Sequence, residues 1–324
     1  MGRVKQMTKR MAGIDAGGTL IKIAYLDEGS GSDGTDHGYP PHAGAAGQAA
    51  KQPPDSQGAA SGRRVPALCK FATSQIQDAA DWVRANLPAD TRIGYTGGQA
   101  EHLRRLLPEY ADSGMIPEFE ATAEGAVRVT AYGHRGEADL AAERFILANV
   151  GTGTSLHLID GAERPRLGGI GLGGGTIVGL TGLLCGLRDY EAIARMAPLG
   201  DREAVDLTVG QIYAPAEPPI AGDLTAANFA RPVPPAAGVQ PQDYAAAVVG
   251  MVAEIVVTVA VQAAKLQGTS RVVYVGSSYD YNPLLRDLTA RFTTMLGCEA
   301  EMPEYGAYCG AIGALHIAAA GWPT

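Results

Sequence analysis

Beyond Ala12 the apolar positions alternate, at Ile14 and then from Leu20 to Tyr25, and Gly17-Gly18 interrupts them. This predicts two strands joined by a tight turn. Apolar residues at Ile76, Ala79, Trp82, Val83 and Leu87 follow helical spacing and predict a helix from Ser74 to Leu87, ahead of a strand at Ile93 to Tyr95 and a turn at Gly97-Gly98. Further helices are expected from Gln99 to Tyr110 and near Thr122 to Ala131. A polar link from Gly133 to Glu143 then leads to an apolar strand, Phe145 to Val150.

The pattern then begins again. A second hairpin returns through Leu156 to Ile159, and a glycine-rich loop precedes a helix from Thr176 to Leu187. After a Pro-rich polar stretch around 214–219 come a long apolar helix from Tyr244 to Lys265, a β-branched strand from Val272 to Val275, and two last helical segments. Strands alternate with helices in both halves, which argues for an α/β architecture with two domains, 1–144 and 145–324. Residues 29–64 interrupt the first domain. They are Gly, Ser, Ala, Pro, Asp and His with almost no large apolar residue, so burial cannot offset their ordering entropy and they read as a disordered insertion.

Composition narrows the function classes. A chain of 324 residues, 46% apolar, suffices for two cores. Its formal charge of −8 with scattered basic residues lacks the footprint nucleic acid requires. Cys69, Cys185, Cys298 and Cys309 show no metal-binding spacing and sit in apolar segments, which predicts reduced, mostly buried thiols and a cytoplasmic protein. The N-terminus lacks an apolar signal core, and Glu254 and Gln262 break the most apolar stretch, so neither secretion nor membrane insertion is expected.

Glycine then supplies the candidate chemistry. In Asp15-Ala16-Gly17-Gly18-Thr19-Leu20-Ile21-Lys22, bare backbone can approach phosphate oxygens, Thr19 and Lys22 add a hydroxyl and a charge, and Asp15 can hold Mg²⁺ through water. Lys22 is followed by Ile-Ala-Tyr-Leu in an extended run, which is not how a Walker A loop opens its helix; an ordinary Gly-Gly hairpin is an equal reading. The turn Gly151-Thr152-Gly153-Thr154-Ser155 repeats the device after the second apolar strand, and two such hairpins can enclose a triphosphate. Gly173-Gly174-Gly175 runs into a helix start that offers backbone to an anion or a flat base, and Gly276-Ser277 repeats that logic; close helix packing selects the same glycines.

Taken in order, Gly13 to Lys22, Thr96-Gly97-Gly98, Asn149 to Ser155, Gly168 to Gly175, Gly222 to Phe229, Tyr274 to Ser278 and Gly306 to Leu315 resemble the type II pantothenate kinases, of the actin, sugar-kinase and heat-shock ATPase superfamily. The resemblance implies two ribonuclease-H-like α/β domains with mixed sheets flanked by helices and a nucleotide cleft between them. It also implies a homodimer, ATP and Mg²⁺, and phosphorylation of the primary hydroxyl of pantothenate, the first step towards coenzyme A. Glu118 matches the family's general base, with Glu120 its rival two residues on. Arg166 matches an arginine at the transferred phosphoryl group, and Thr152 and Ser155 match substrate-contacting hydroxyls. Phe292 falls at a dimer-contact position, where a bulky ring implies weak inhibition by acetyl-CoA. Other readings are a superfamily kinase for a sugar or amino sugar, and a non-catalytic nucleotide-gated interaction protein.

Overall fold

The computed structural model describes residues 10–26, 66–134, 144–232 and 237–322. The expected insertion at 29–64 and most of the polar link at 133–143 lie outside them. The described residues form two units, one from residues up to 134 together with 304–322, the other from 144–303.

In the first unit the strands are β1 (Met11–Ala16), β2 (Leu20–Tyr25), β3 (Ala67–Ala72), β4 (Arg92–Thr96) and β5 (Ser113–Met115), and the helices α1 (Ile76–Asn86), α2 (Ala100–Leu106) and α3 (Glu118–His134). The sheet order is β3-β2-β1-β4-β5. The first three strands form an antiparallel meander, and β4 and β5 add in parallel. Strand alternation sends Ala12, Ile14 and Ala16 into a core shared with Ala79, Val83 and Leu103 of the helices, and turns Gly13 and Asp15 to the other face.

The second unit contains β6 (Arg144–Val150), β7 (Thr154–Asp160), β8 (Arg166–Ile170), α4 (Gly174–Cys185), α5 (Tyr190–Met196), β9 (Leu207–Thr208), α6 (Val209–Tyr213), β10 (Thr225–Ala227), α7 (Pro241–Leu266), β11 (Arg271–Val275), α8 (Pro283–Met295) and β12 (Glu299–Glu301). Its large sheet, β12-β11-β6-β7-β8, has the topology of the first: an antiparallel meander of three strands with two parallel strands beside its founding strand. By length and composition α7 is apolar enough to cross a membrane, yet 67% of its most apolar window is buried in the protein. Val248, Val252 and Val256 share this unit's core with Ile146, Leu156 and Tyr274, and Glu254 pairs with Arg202 at 2.9 Å, so α7 is a core helix here.

Two expectations change. The last helix, α9 (Cys309–Ala320), belongs to the first unit and not to a domain running from 145 to 324. Gly13 of β1 and Gly94 of β4 are the cause: a Cβ on either would lie 2.0 Å from the Ala311 carbonyl oxygen or 2.5 Å from that of Ala314, so only bare backbone lets α9 lie on the strands. Phe292 on α8 is 5% exposed within the second unit's core, where it has no surface to offer a partner, and the argument for weak acetyl-CoA inhibition loses its basis.

Candidate active site

In the first unit, the β1–β2 turn is closed by the Gly17 N–H donating to the Leu20 carbonyl at 2.9 Å, and the Thr73 hydroxyl donates to the Gly17 carbonyl at 2.9 Å. Gly18 and Thr19 form the exposed tip. Antiparallel register sets Asp15 opposite Lys22, and the ammonium lies 3.7 Å from the carboxylate. The Asp15 carboxylate occupies a slot between two glycines: a Cβ on Gly97, at φ +93°, would come within 2.8 Å of one oxygen, and one on Gly310 within 2.6 Å of the other. Burial pushes the Asp15 carboxyl above its ordinary value while Lys22 pulls it back.

Glu118 opens α3, four residues earlier than the expected start near Thr122. Its carboxyl is held above the usual range, first by desolvation and then by the negative charge of Asp15, with Lys22 opposing. Asp15, Lys22 and Glu118, widely separated in sequence, therefore form one electrostatic group. Glu118 and its rival Glu120 are both exposed in this first turn. Among the described residues no cluster of three His, Cys, Asp or Glu side chains suits a metal cage. Mg²⁺ held through phosphates and water needs only one or two carboxylates, and Asp15 fits that requirement.

In the second unit three glycine segments meet. The Gly151 N–H closes the turn on the Gly153 carbonyl at 2.9 Å. The start of α4 then docks on it, with the Gly174 and Gly175 N–H groups donating to the carbonyls of Gly151 and Thr152 at 2.8 and 3.0 Å. Ser278 adds a third tie, its hydroxyl donating to the Gly151 carbonyl at 2.9 Å. A Cβ would lie 2.7 Å from the Gly151 oxygen if placed on Gly173, 2.6 Å from the Ser278 Oγ on Gly174, and 2.7 Å from the Thr152 Cγ2 on Gly175. Gly276 has φ +108° and leaves 2.4 Å between a Cβ and the Val150 oxygen. Two of the N–H groups expected to face an anion are thus already bonded to the hairpin, and the glycines serve first to pack these segments. Of the serines at this strand end, Ser278 makes the tie and the expected Ser277 stays half-exposed.

Arg166 opens β8, exposed, and one of its terminal nitrogens lies over Gly169, 2.9 Å from where a Cβ would stand. The region read as a glycine-rich loop is therefore partly strand. Opposite Arg166 in the ladder is His157 of β7, which sequence reasoning passed over; its Nε2 lies 3.2 Å from the Ser155 Oγ. Burial and then the Arg166 charge lower its imidazole pKa to about 4. The i, i+2 spacing of Ser155 and His157 in a recognised strand was the available signal.

A family model, Fumble, matches residues 11–317. The type II pantothenate kinase of Staphylococcus haemolyticus (strain JCSC1435) is 36% identical over 307 residues, spanning 94% of this chain and 98% of that protein. The enzyme of the same name from Staphylococcus aureus (strain USA300) is 37% identical over 307 residues, with the same coverage. Among solved structures, the Acidaminococcus fermentans (R)-2-hydroxyglutaryl-CoA dehydratase component A aligns at TM-score 0.53 and 15% identity over 96% of this chain and all of that one. The activator of the 2-hydroxyisocaproyl-CoA dehydratase from Clostridium difficile, with bound ADPNP, aligns at 0.53 and 14% over 95% and 94%. At such identities these two speak to the fold alone. The sequence relatives reach further: the chain belongs to the type II pantothenate kinase family.

Proposed function

We propose that this enzyme transfers the γ-phosphoryl group of ATP to the primary hydroxyl of pantothenate, giving 4'-phosphopantothenate and ADP. Family membership supplies the substrate class. The observation that carries the reading is the Asp15–Lys22–Glu118 group, which pairs a carboxylate suited to Mg²⁺ with one of raised basicity. Glu118 accepts the hydroxyl proton as the new O–P bond forms and the bond to the β-phosphate oxygen breaks. Arg166 offsets charge on the equatorial phosphoryl oxygens, and Thr152 and Ser155 hold the acceptor. The turn 17–19 with Lys22, and the segments 151–153, 173–175 and 276–277, bind the nucleotide phosphates. Mg²⁺ at Asp15 would neutralise phosphate charge.

The reading places the enzyme in the cytoplasm, in keeping with its four free cysteines. It also makes the enzyme a homodimer, in which a second copy would cover apolar surface such as Leu183 and Leu199, 77% and 78% exposed; sedimentation at the mass of one chain would overturn that. The reaction itself is tested by measuring ADP release with ATP and a panel of hydroxylated acceptors. Turnover on pantothenate well above that on hexoses and amino sugars is expected, and the opposite order defeats the proposal.

A further inference from the structure

We propose that His157 is a positioning residue that fixes the Ser155 hydroxyl and, through it, the acceptor substrate. The idea rests on the reading above that Ser155 touches pantothenate. Strand alternation in β7 puts both residues on one face, with the imidazole Nε2 3.2 Å from the hydroxyl oxygen. The opposite face of β7 sends Leu156 and Leu158 into the core against α7, so the core that these residues fill makes no demand for an imidazole at 157.

The ring is 1% exposed, fixed in the ladder between Leu147 of β6 and Arg166 of β8. The half-buried Ser155 has three staggered positions of its Oγ to choose from, and a bond to a buried ring selects one. Charge completes the argument. Burial and Arg166 keep the imidazole neutral, so it holds the hydroxyl without a second cation beside the arginine assigned to the phosphoryl group.

The test is steady-state kinetics of the full-length enzyme, with pantothenate and ATP varied separately, on Ser155→Ala, His157→Leu, His157→Gln and the Ser155→Ala/His157→Leu double variant. Losing one oriented hydrogen bond should raise the KM for pantothenate about 3- to 10-fold in Ser155→Ala and in His157→Leu, and leave the KM for ATP unchanged. His157→Gln, whose amide extends as far as Nε2, should restore most of the loss. On the Ser155→Ala background, His157→Leu should add little, because the group it positions is gone. Should His157→Leu not fold, His157→Asn, whose amide ends short of Ser155, takes its place. A purely structural histidine would instead lower kcat and thermal stability together, and by the same factor with or without Ser155, which overturns the proposal. So does an unchanged KM in His157→Leu while Ser155→Ala is impaired. If Ser155→Ala itself binds pantothenate normally, the substrate contact is misassigned and the role of His157 falls with it.

Discussion

Among the described glycines of the first unit, those between α3 and α9 leave the least room for a side chain, and Gly313→Ala tests that fit. A Cβ on Gly313 would stand 1.7 Å from the Ala121 carbonyl oxygen, and one on Gly125 would stand 1.9 Å from that of Cys309. Real contacts do not fall below 3.0 Å, and each obstacle is helix backbone that no rotamer change can move, so the helices must separate by more than an ångström. The sheet side offers no slack, since α9 already rests on Gly13 and Gly94. Overpacking of this kind costs about 1–3 kcal/mol or more, and a gap of ~1 Å along the interface forfeits roughly a quarter to a half of its dispersion attraction. A loss of about 3 kcal/mol is therefore expected, which lowers Tm by roughly 6–12 °C for a domain of this size. Urea and thermal unfolding followed by circular dichroism measure it. Gly125→Ala should behave alike, and the double variant should lose less than the sum because the first methyl has already parted the helices. Gly179 of α4 has nothing within 4 Å of its Cβ position, so Gly179→Ala should be neutral or gain about 0.5–1 kcal/mol from helix propensity. A Gly313→Ala protein melting within 2 °C of wild type, ~0.5–1 kcal/mol, would refute the argument.

Replacing Glu118 by Gln should lower kcat about 10²-fold with ATP affinity unchanged, whereas Glu120→Gln should stay active; the reverse pattern in a coupled ADP assay assigns the base to the wrong carboxylate. Because the Glu118 carboxyl is held above its ordinary value, activity on the acid side should fall with a midpoint above the usual carboxylate range, and a pH profile of kcat/KM with an ordinary midpoint contradicts that. His157 has its pKa lowered in the folded state, so the unfolded chain binds the extra proton between pH 6.5 and about 4. Its contribution is intact above pH 6.5 and is lost as pH falls to about 4, by about 3 kcal/mol, and His157→Gln should remove that part of the acid slope in urea titrations. Arg202 bonds both Glu254 oxygens, at 2.9 and 3.0 Å, and fully buried Asp206, so Arg202→Met should cost about 3–5 kcal/mol by urea unfolding; a loss under ~1 kcal/mol counts against the network.

Local features were the legible ones. The Gly17-Gly18 turn announced the hairpin that pairs Asp15 with Lys22, and the long apolar run from Tyr244, broken by Glu254 and Gln262 before Lys265, announced α7. Strand β8 was hidden because Leu167-Gly168-Gly169 has no alternation of its own and becomes extended by pairing with β7. The glycines at 173–175 announced a close approach but not to what, and their nearest neighbours proved to be the second hairpin for Gly173 and Gly175 and the Ser278 hydroxyl for Gly174. The electrostatic link from Asp15 to Glu118 spans about a hundred residues, and neither spacing nor periodicity encodes such a separation. The placement of α9 misled because position along the chain was taken for position in the fold, and Phe292 because one position matched to the family was taken for a surface contact.

The seat of α9 on β1 also dictates an order of assembly. About 300 residues of chain separate Gly13 from Ala311, so at ~5–20 residues per second the strand waits about 15–60 s for its covering helix. Until then the glycine-lined backbone of β1, and of β4 and α3 once they are made, lacks its covering helix and is open to chaperones or to other nascent chains. Residues 144–303, by contrast, are contiguous and hold all the strands of their own sheet, so the unit translated second is the one able to finish folding first.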